Sequence, residues 1–217
     1  MKIKGAIFDM DGTLLDSMKY WNTVGIEYLE RLGIKFNTEK DNCVLYAGIK
    51  PFTDYCNNTY GLNKTYEEVL HGVHDIMAEK YRTVVELKPG AKSMLERFKQ
   101  NGVKMCIATA TEKKEATAVL KKLGILDCFS DVITTTIVGA DKSSALIYEK
   151  ALELLGTSKN ETYIFEDAYY AICTAKKNGF LVVGIEDENT VVPAKEIAPL
   201  CDHFLYAQDE YNTWFLE

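Results

Sequence analysis

From Pro89 onward, short apolar runs alternate with amphipathic stretches long enough to be helices, and that alternation leaves few folds open. It predicts a helix over 90–101, a strand over Val103–Ala108, a helix over 112–123 and a strand over Asp131–Thr134. The pattern repeats with a helix over 143–155, a strand over Thr162–Phe165, a helix over 168–178 and a strand over Phe180–Ile185. A last short strand falls near His203–Leu205. Strands separated by helices in this way pair in parallel, and a parallel sheet needs both faces covered. The expected core is an α/β, Rossmann-like parallel sheet with helices on both faces.

The chain reaches that core by a detour. Ile3 to Phe8 reads as a buried strand that stops at Asp9-Met10-Asp11-Gly12-Thr13. From Ser17 to Leu32 the period turns helical, through Trp21, Val24, Ile26, Tyr28, Leu29 and Leu32. Residues 38–82 continue as helices broken at Gly48, Pro51, Gly61 and Asn63, with no strand pattern. The arrangement expected is a core from 1–15 and 87–217 and an all-helical cap inserted over 16–86. The two crossings, Leu14–Ser17 and Glu86–Pro89, are short enough to form a paired hinge.

Charge narrows the function classes. The 217 residues carry a net charge of −7 and no basic stripe, which argues against a nucleic-acid or membrane surface. A site for an anion must then make its positive potential locally, from a metal, a lysine and backbone amides. The six cysteines form no C-x-x-C pair and no Cys/His cluster, so neither zinc nor a disulfide framework is expected. Cys43, Cys106 and Cys173 sit in apolar runs, as small core residues do. The opening MKIKGAIFD does not read as a signal peptide and no apolar stretch reaches membrane-spanning length. A reducing, cytoplasmic setting is the expectation.

Four segments carry chemistry, each at the C-terminal end of a strand, where open α/β sheets bind ligands. In Asp9-Met10-Asp11-Gly12-Thr13 two carboxylates converge past a strand end and Gly12 permits the turn. Taken alone, this reads equally as a calcium loop or an Asx-turn. Ile107-Ala108-Thr109-Ala110-Thr111 ends a strand in two hydroxyls: Thr109 binds a phosphate oxygen or caps, and Thr111 is placed to cap the next helix. Lys142 opens a helix against its dipole, which suits an anion, although surface lysines also occur there. Phe165-Glu166-Asp167 sets two adjacent carboxylates in apolar surroundings, where they repel unless a cation or hydrogen bonds absorb the charge.

In order and spacing, DMDGT with its LLDS continuation, IATAT, Lys142 and FED resemble the haloacid dehalogenase-like hydrolase superfamily, in its helical-cap, β-phosphoglucomutase- and phosphatase-like members. The resemblance covers essentially the whole chain. It implies that Asp9 is a nucleophile forming an aspartyl-phosphate and Asp11 the general acid/base. It implies Mg²⁺ held by Asp9, the Asp11 carbonyl and Asp167, with Glu166 in support. Thr109, Ala110 and Lys142 then hold the phosphate oxygens. Two departures stand out: Lys142 is followed by Ser143-Ser144-Ala145 where such proteins commonly show K-P-x-P-D, and Ala168 and Ala171 replace a common serine and glycine.

The implied activity is that of a magnesium-dependent phosphatase acting on a small phosphorylated metabolite. Asp11 and the Glu166-Asp167 pair disfavour dehalogenation, which needs neither a leaving-group acid nor a metal. A β-phosphoglucomutase-like phosphomutase is the alternative. Mutases of that type carry a histidine and an arginine in the cap where this chain has Tyr20-Trp21-Asn22. A catalytically silent protein that binds a phosphate ligand is the further alternative. In the cap, Tyr20, Trp21, Tyr46, Lys50, Phe52 and Tyr55 either face substrate or build the cap's own core; Tyr20 and Lys50 are the substrate-binding candidates. The aromatic tail, with Phe204, Tyr206, Tyr211, Trp214 and Phe215, is suited to cover a sheet edge.

Overall fold

The computed structural model describes residues 3–37, 41, 44 and 48–206. Cys43, Tyr46 and the tail aromatics Tyr211, Trp214 and Phe215 lie outside them. The chain divides into two compact units, Met1–Asp16 with Val85–Glu217, and Ser17–Val84.

The first unit is built on six parallel strands among the described residues. They are β1 (Gly5–Phe8), β2 (Lys104–Thr109), β3 (Val132–Thr134), β4 (Thr162–Glu166), β5 (Leu181–Ile185) and β6 (His203–Leu205), in the order β3-β2-β1-β4-β5-β6. The fold class read from the alternation is the one observed. β1 lies at the centre, with Ile7 beside Cys106 and Ile164, and Phe8 beside Ile107 and Phe165. Because successive side chains of a strand point to opposite faces, β1 feeds two cores. Ile7 joins Cys106, Ile164 and Val182 under helices at Leu146–Leu155, Tyr169–Lys177 and Ala194–Ile197. Phe8 stacks on Phe165 at 4.4 Å between ring centroids and meets Phe98 and Phe129 on the other face. Burying a phenylalanine of this kind stabilises the fold by about 1.5–3 kcal/mol.

The sequence in this order reverses direction between β1 and β4, so that a crevice opens beyond their carboxyl ends, the place where such sheets take ligands. The helices of the first unit lie close to the expected spans: Ala91–Gln100, Lys113–Lys122, Leu146–Leu155 and Tyr169–Lys177. Two short helices, Thr135–Val138 and Ala194–Ile197, had no periodic signal because four residues span barely one turn. Cys106 is fully buried, as expected, whereas Cys173 is only half-buried. No helix among the described residues is long and apolar enough to cross a membrane.

The second unit is helical: α1 (Met18–Trp21), α2 (Val24–Arg31), α3 (Ile49–Tyr60) and α4 (Tyr66–Thr83) among the described residues. The single helical period over 17–32 is in fact broken. Thr23 turns its hydroxyl back onto the Lys19 carbonyl at 3.0 Å, while its amide reaches only to Tyr20 at 3.1 Å, tightening and ending the turn. Thr65 and Glu68 form a reciprocal capping box at the start of α4. Gly72 has a packing reason within α4, since a Cβ there would lie 2.3 Å from the Tyr28 ring of α2.

Candidate active site

Three of the four chemical segments lie at the carboxyl ends of strands β1, β2 and β4. Lys142 instead lies in a turn after the short helix Thr135–Val138 and four residues before the helix Leu146–Leu155, so it neither ends a strand nor opens that helix as expected. Asp9 follows β1 directly, and its amide donates to the Phe165 carbonyl at 2.9 Å, which ties it to β4. The chain then turns tightly, with the Leu14 and Leu15 amides both donating to the Met10 carbonyl, at 3.0 and 2.9 Å. Gly12 has φ +82, and a Cβ there would meet Asp167 Oδ2 at 2.3 Å, so both backbone and space demand glycine. Thr13 donates its hydroxyl to Asp167 Oδ1 at 2.9 Å.

The carboxylates of Asp9, Glu166 and Asp167 are buried and offer oxygens all within 4.8 Å of one another. Lys142, only 3% exposed, donates to Asp9 and, at 2.8 Å, to Glu166 Oε2. Glu166 Oε2 also accepts from the Tyr148 hydroxyl at 3.1 Å, and Oε1 accepts from the Ala168 amide at 3.2 Å. The prolines missing after Lys142 therefore do not leave it adrift. Asp141 folds the turn by accepting from the Ser143 amide at 2.9 Å and from the Ser143 hydroxyl, and Glu166 receives the lysine.

The electrostatics follow from burial. Desolvation, then repulsion from Glu166, pushes the Asp9 carboxyl up to about 8 against the pull of Lys142. Desolvation, with Glu166 and Asp9 close by, likewise holds Asp167 well above the usual carboxylate range, while the Thr13 hydrogen bond and the Lys88 charge oppose it. Burial alone would pull Lys142 down, but the charges of Asp9 and Glu166 outweigh it and hold the ammonium well above its ordinary value. Three carboxylates against one lysine leave an excess of negative charge that a hard divalent cation would neutralise, and an all-oxygen donor set suits Mg²⁺. The residues present fit that ion.

Asp11 stands apart from this cluster. Its Oδ2 accepts from the Thr111 hydroxyl at 2.8 Å, so its carboxylate is directed to the β2 side. Any part Asp11 takes in holding a metal falls to its backbone carbonyl. Thr109 is buried at the end of β2, and its oxygen accepts from the Thr111 amide at 3.1 Å; Ala110, between them, is exposed. The capping reading of Thr111 fails: the residue at the helix start is Glu112, with no side-chain cap bond. Tyr20 and Lys50 belong to the second unit. There Tyr20 lies half-buried, beneath the Lys19 ammonium, and Lys50 faces Asp54 at 3.6 Å on one exposed helical turn. Phe52 is buried, Trp21 donates to Tyr81 at 3.2 Å and Tyr55 to Asp41 at 2.5 Å, so these three build their own unit.

Sequence reasoning missed three residues here. Tyr148, at the buried face of its helix, looked like any apolar-face tyrosine. Lys88 and Asp187 pair at 2.8 Å beside the site, but 99 residues separate them in the chain. Thr111 was seen and given the wrong partner.

Comparison with known proteins is consistent with this geometry. Residues 6–185 match the family model described as haloacid dehalogenase-like hydrolase. The chain is 22% identical over 201 residues to the phosphorylated carbohydrates phosphatase of Thermotoga maritima, covering 90% of this chain and 93% of that protein. It is 24% identical over 199 residues to the β-phosphoglucomutase of Bacillus subtilis, covering 84% and 83%. Among solved structures, CbbY from Rhodobacter sphaeroides in complex with phosphate superposes with a TM-score of 0.76 at 20% identity, covering 94% of this chain and 93% of that one. That likeness is one of fold.

Proposed function

As the chain belongs to the haloacid dehalogenase-like hydrolase family, we propose that it is a magnesium-dependent phosphatase acting on a small phosphate monoester through a phosphorylated Asp9. The observation that carries this reading is the setting of Asp9: a buried carboxylate held by Lys142, beside two further carboxylates, at the end of the central strand. The names of the two relatives, one a carbohydrate-phosphate phosphatase, support the substrate class.

Mg²⁺ would be held by Asp9, Asp167 and the Asp11 carbonyl with Glu166 alongside, and when bound it neutralises phosphate oxygens. Lys142, the Thr109 hydroxyl and the Ala110 backbone hold the remaining phosphate oxygens, so that an anionic nucleophile can approach an anionic substrate. In the first step an Asp9 oxygen forms its bond to phosphorus as the ester P–O bond breaks. The proton on the Asp11 carboxyl passes to the leaving oxygen. In the second step Asp11 takes a proton from water as the water oxygen bonds to phosphorus. The Asp9–phosphorus bond breaks, which releases phosphate and restores the Asp9 carboxylate. The free thiols Cys56, Cys106, Cys128, Cys173 and Cys201 support a reducing, cytoplasmic setting.

Asp9→Asn tests the assignment, because an amide is both a poor nucleophile and a poor magnesium ligand. The folded variant should lose turnover of an aryl phosphate almost completely; turnover within about tenfold of wild type, far short of the loss expected when a nucleophile is removed, would sink it. A phosphomutase is the second reading, supported by the name of the Bacillus subtilis relative. Formation of glucose 6-phosphate from β-glucose 1-phosphate separates the two.

A further inference from the structure

We propose that Thr111 is the positioning residue for Asp11, and that the three-residue turn 109–111 sets the proton donor in register with the phosphate-holding hydroxyl. The inference rests on the acid/base reading of Asp11 given above.

Thr111 is not the cap residue of the helix it precedes. Glu112 occupies the cap position with an extended ψ of 142, so Thr111 stands one residue before the helix cap. Its hydroxyl donates to Asp11 Oδ2, at 2.8 Å and across 100 residues of chain. The Thr111 amide meanwhile donates to Thr109 Oγ1 at 3.1 Å. One residue thus holds two others: its amide fixes the oxygen of Thr109, and its hydroxyl fixes the carboxylate of Asp11.

The chemistry gives this link a purpose. Asp11 lies on a turn that follows β1, and a carboxylate there rotates freely about its last bond unless something holds it. A hydroxyl donated to Oδ2 stops that rotation and directs any transferable proton to Oδ1. Proton transfer demands alignment of donor, leaving oxygen and phosphorus together. Asp9 and Asp167 are aligned by burial and by the β4 backbone. Asp11 is only half-buried, and Thr111 reaches its carboxylate from just past the end of the neighbouring strand.

Thr111→Val removes the hydroxyl and keeps the shape; Thr111→Ser keeps the hydroxyl. Hydrolysis of glucose 6-phosphate and of 4-nitrophenyl phosphate is measured for both, because an alkyl leaving group needs a proton and an aryl one departs without it. For Thr111→Val, kcat on the sugar phosphate should fall by about tenfold to a hundredfold, as expected for a misplaced catalytic group. Formation of phosphorylated Asp9 from the aryl ester in rapid quench should be spared, KM should hold and Thr111→Ser should recover most of the loss. Equal losses in the first step on both esters, or no recovery in Thr111→Ser, overturn the proposal while leaving Asp11 as acid/base. Asp11→Asn measured in parallel separates the two failures: if it shows no preference between the esters, Asp11 is no acid/base and both readings fall. On the Asp11→Asn background, Thr111→Val should add nothing; a further loss would mean that Thr111 acts by another route.

Discussion

Single residues in this molecule are held at odds with water, and the cost is visible as proton affinity. Asp9 takes up a proton far more readily when folded, with its carboxyl raised from 3.8 to about 8, because burial and Glu166 disfavour the anion. A raised folded value means that its contribution to stability is fully present below pH 3.8 and is lost as pH rises through about 8. Mg²⁺ held at this site would bind the anion and compete with that proton. The rise in melting temperature on adding Mg²⁺ should therefore be small near pH 5 and grow steadily toward pH 8, read by thermal melts with and without the ion. A rise that does not change with pH would contradict the arrangement. At this scale, the sequence made Asp9, Asp11, Glu166 and Asp167 readable as candidates because each sits at or just past a strand end with a charge that needs a reason. Lys142 was readable by its place in the motif order, although it lies in a turn beyond the short helix Thr135–Val138. Thr111 was misread because a hydroxyl's nearest use is local, whereas its partner here lies 100 residues away. Tyr148 was passed over because its hydrophobic setting hides a single polar atom aimed at Glu166.

Elements were legible where their period was long. Apolar alternation located the strands of the sheet to within a residue or two, since burial on both faces forces continuous apolar runs. Broken elements were not legible: the split between α1 and α2 turns on one threonine hydroxyl competing with the helix backbone, a choice that hydrophobic period does not encode. The turn after β1 is the most tightly specified element. Gly12 satisfies a left-handed backbone and leaves room for Asp167 at once. Gly12→Ala should cost at least about 1–2 kcal/mol from the backbone alone. It should also displace Asp167, so that stabilisation by Mg²⁺ is lost together with activity. Chemical denaturation and Mg²⁺-dependent melts check both; a variant of unchanged stability and unchanged Mg²⁺ response would refute this account of the turn.

For the whole molecule, alternation of strands and helices foretold a parallel sheet but not its order, because local pattern is blind to which strands become neighbours. The point where the chain leaves and re-enters the first unit is more informative. Leu15 and Leu87 form an antiparallel bridge, the Asp16 amide donates to the Glu86 carbonyl at 3.0 Å, and the Lys88 amide donates to the Leu14 carbonyl at 2.8 Å. The cut ends are thus already side by side. Replacing Ser17–Val84 with a short Gly/Ser linker should leave a first unit that melts cooperatively and is still stabilised by Mg²⁺. A broad, non-cooperative melt would show that the first unit needs the second to fold. The central place of β1 bears also on how the protein is made. On the ribosome, the Gly-Ala-Ile-Phe strand is synthesised long before either of its neighbours, for Gly5 lies beside Lys104 on one flank and Thr162 on the other. At usual translation speeds the nascent strand waits on the order of ten seconds for its second flank, while the helices of Ser17–Val84 are free to collapse co-translationally. The strand that leads into Asp9 is thus made well before both of its flanks, an interval in which its apolar side chains are open to a chaperone.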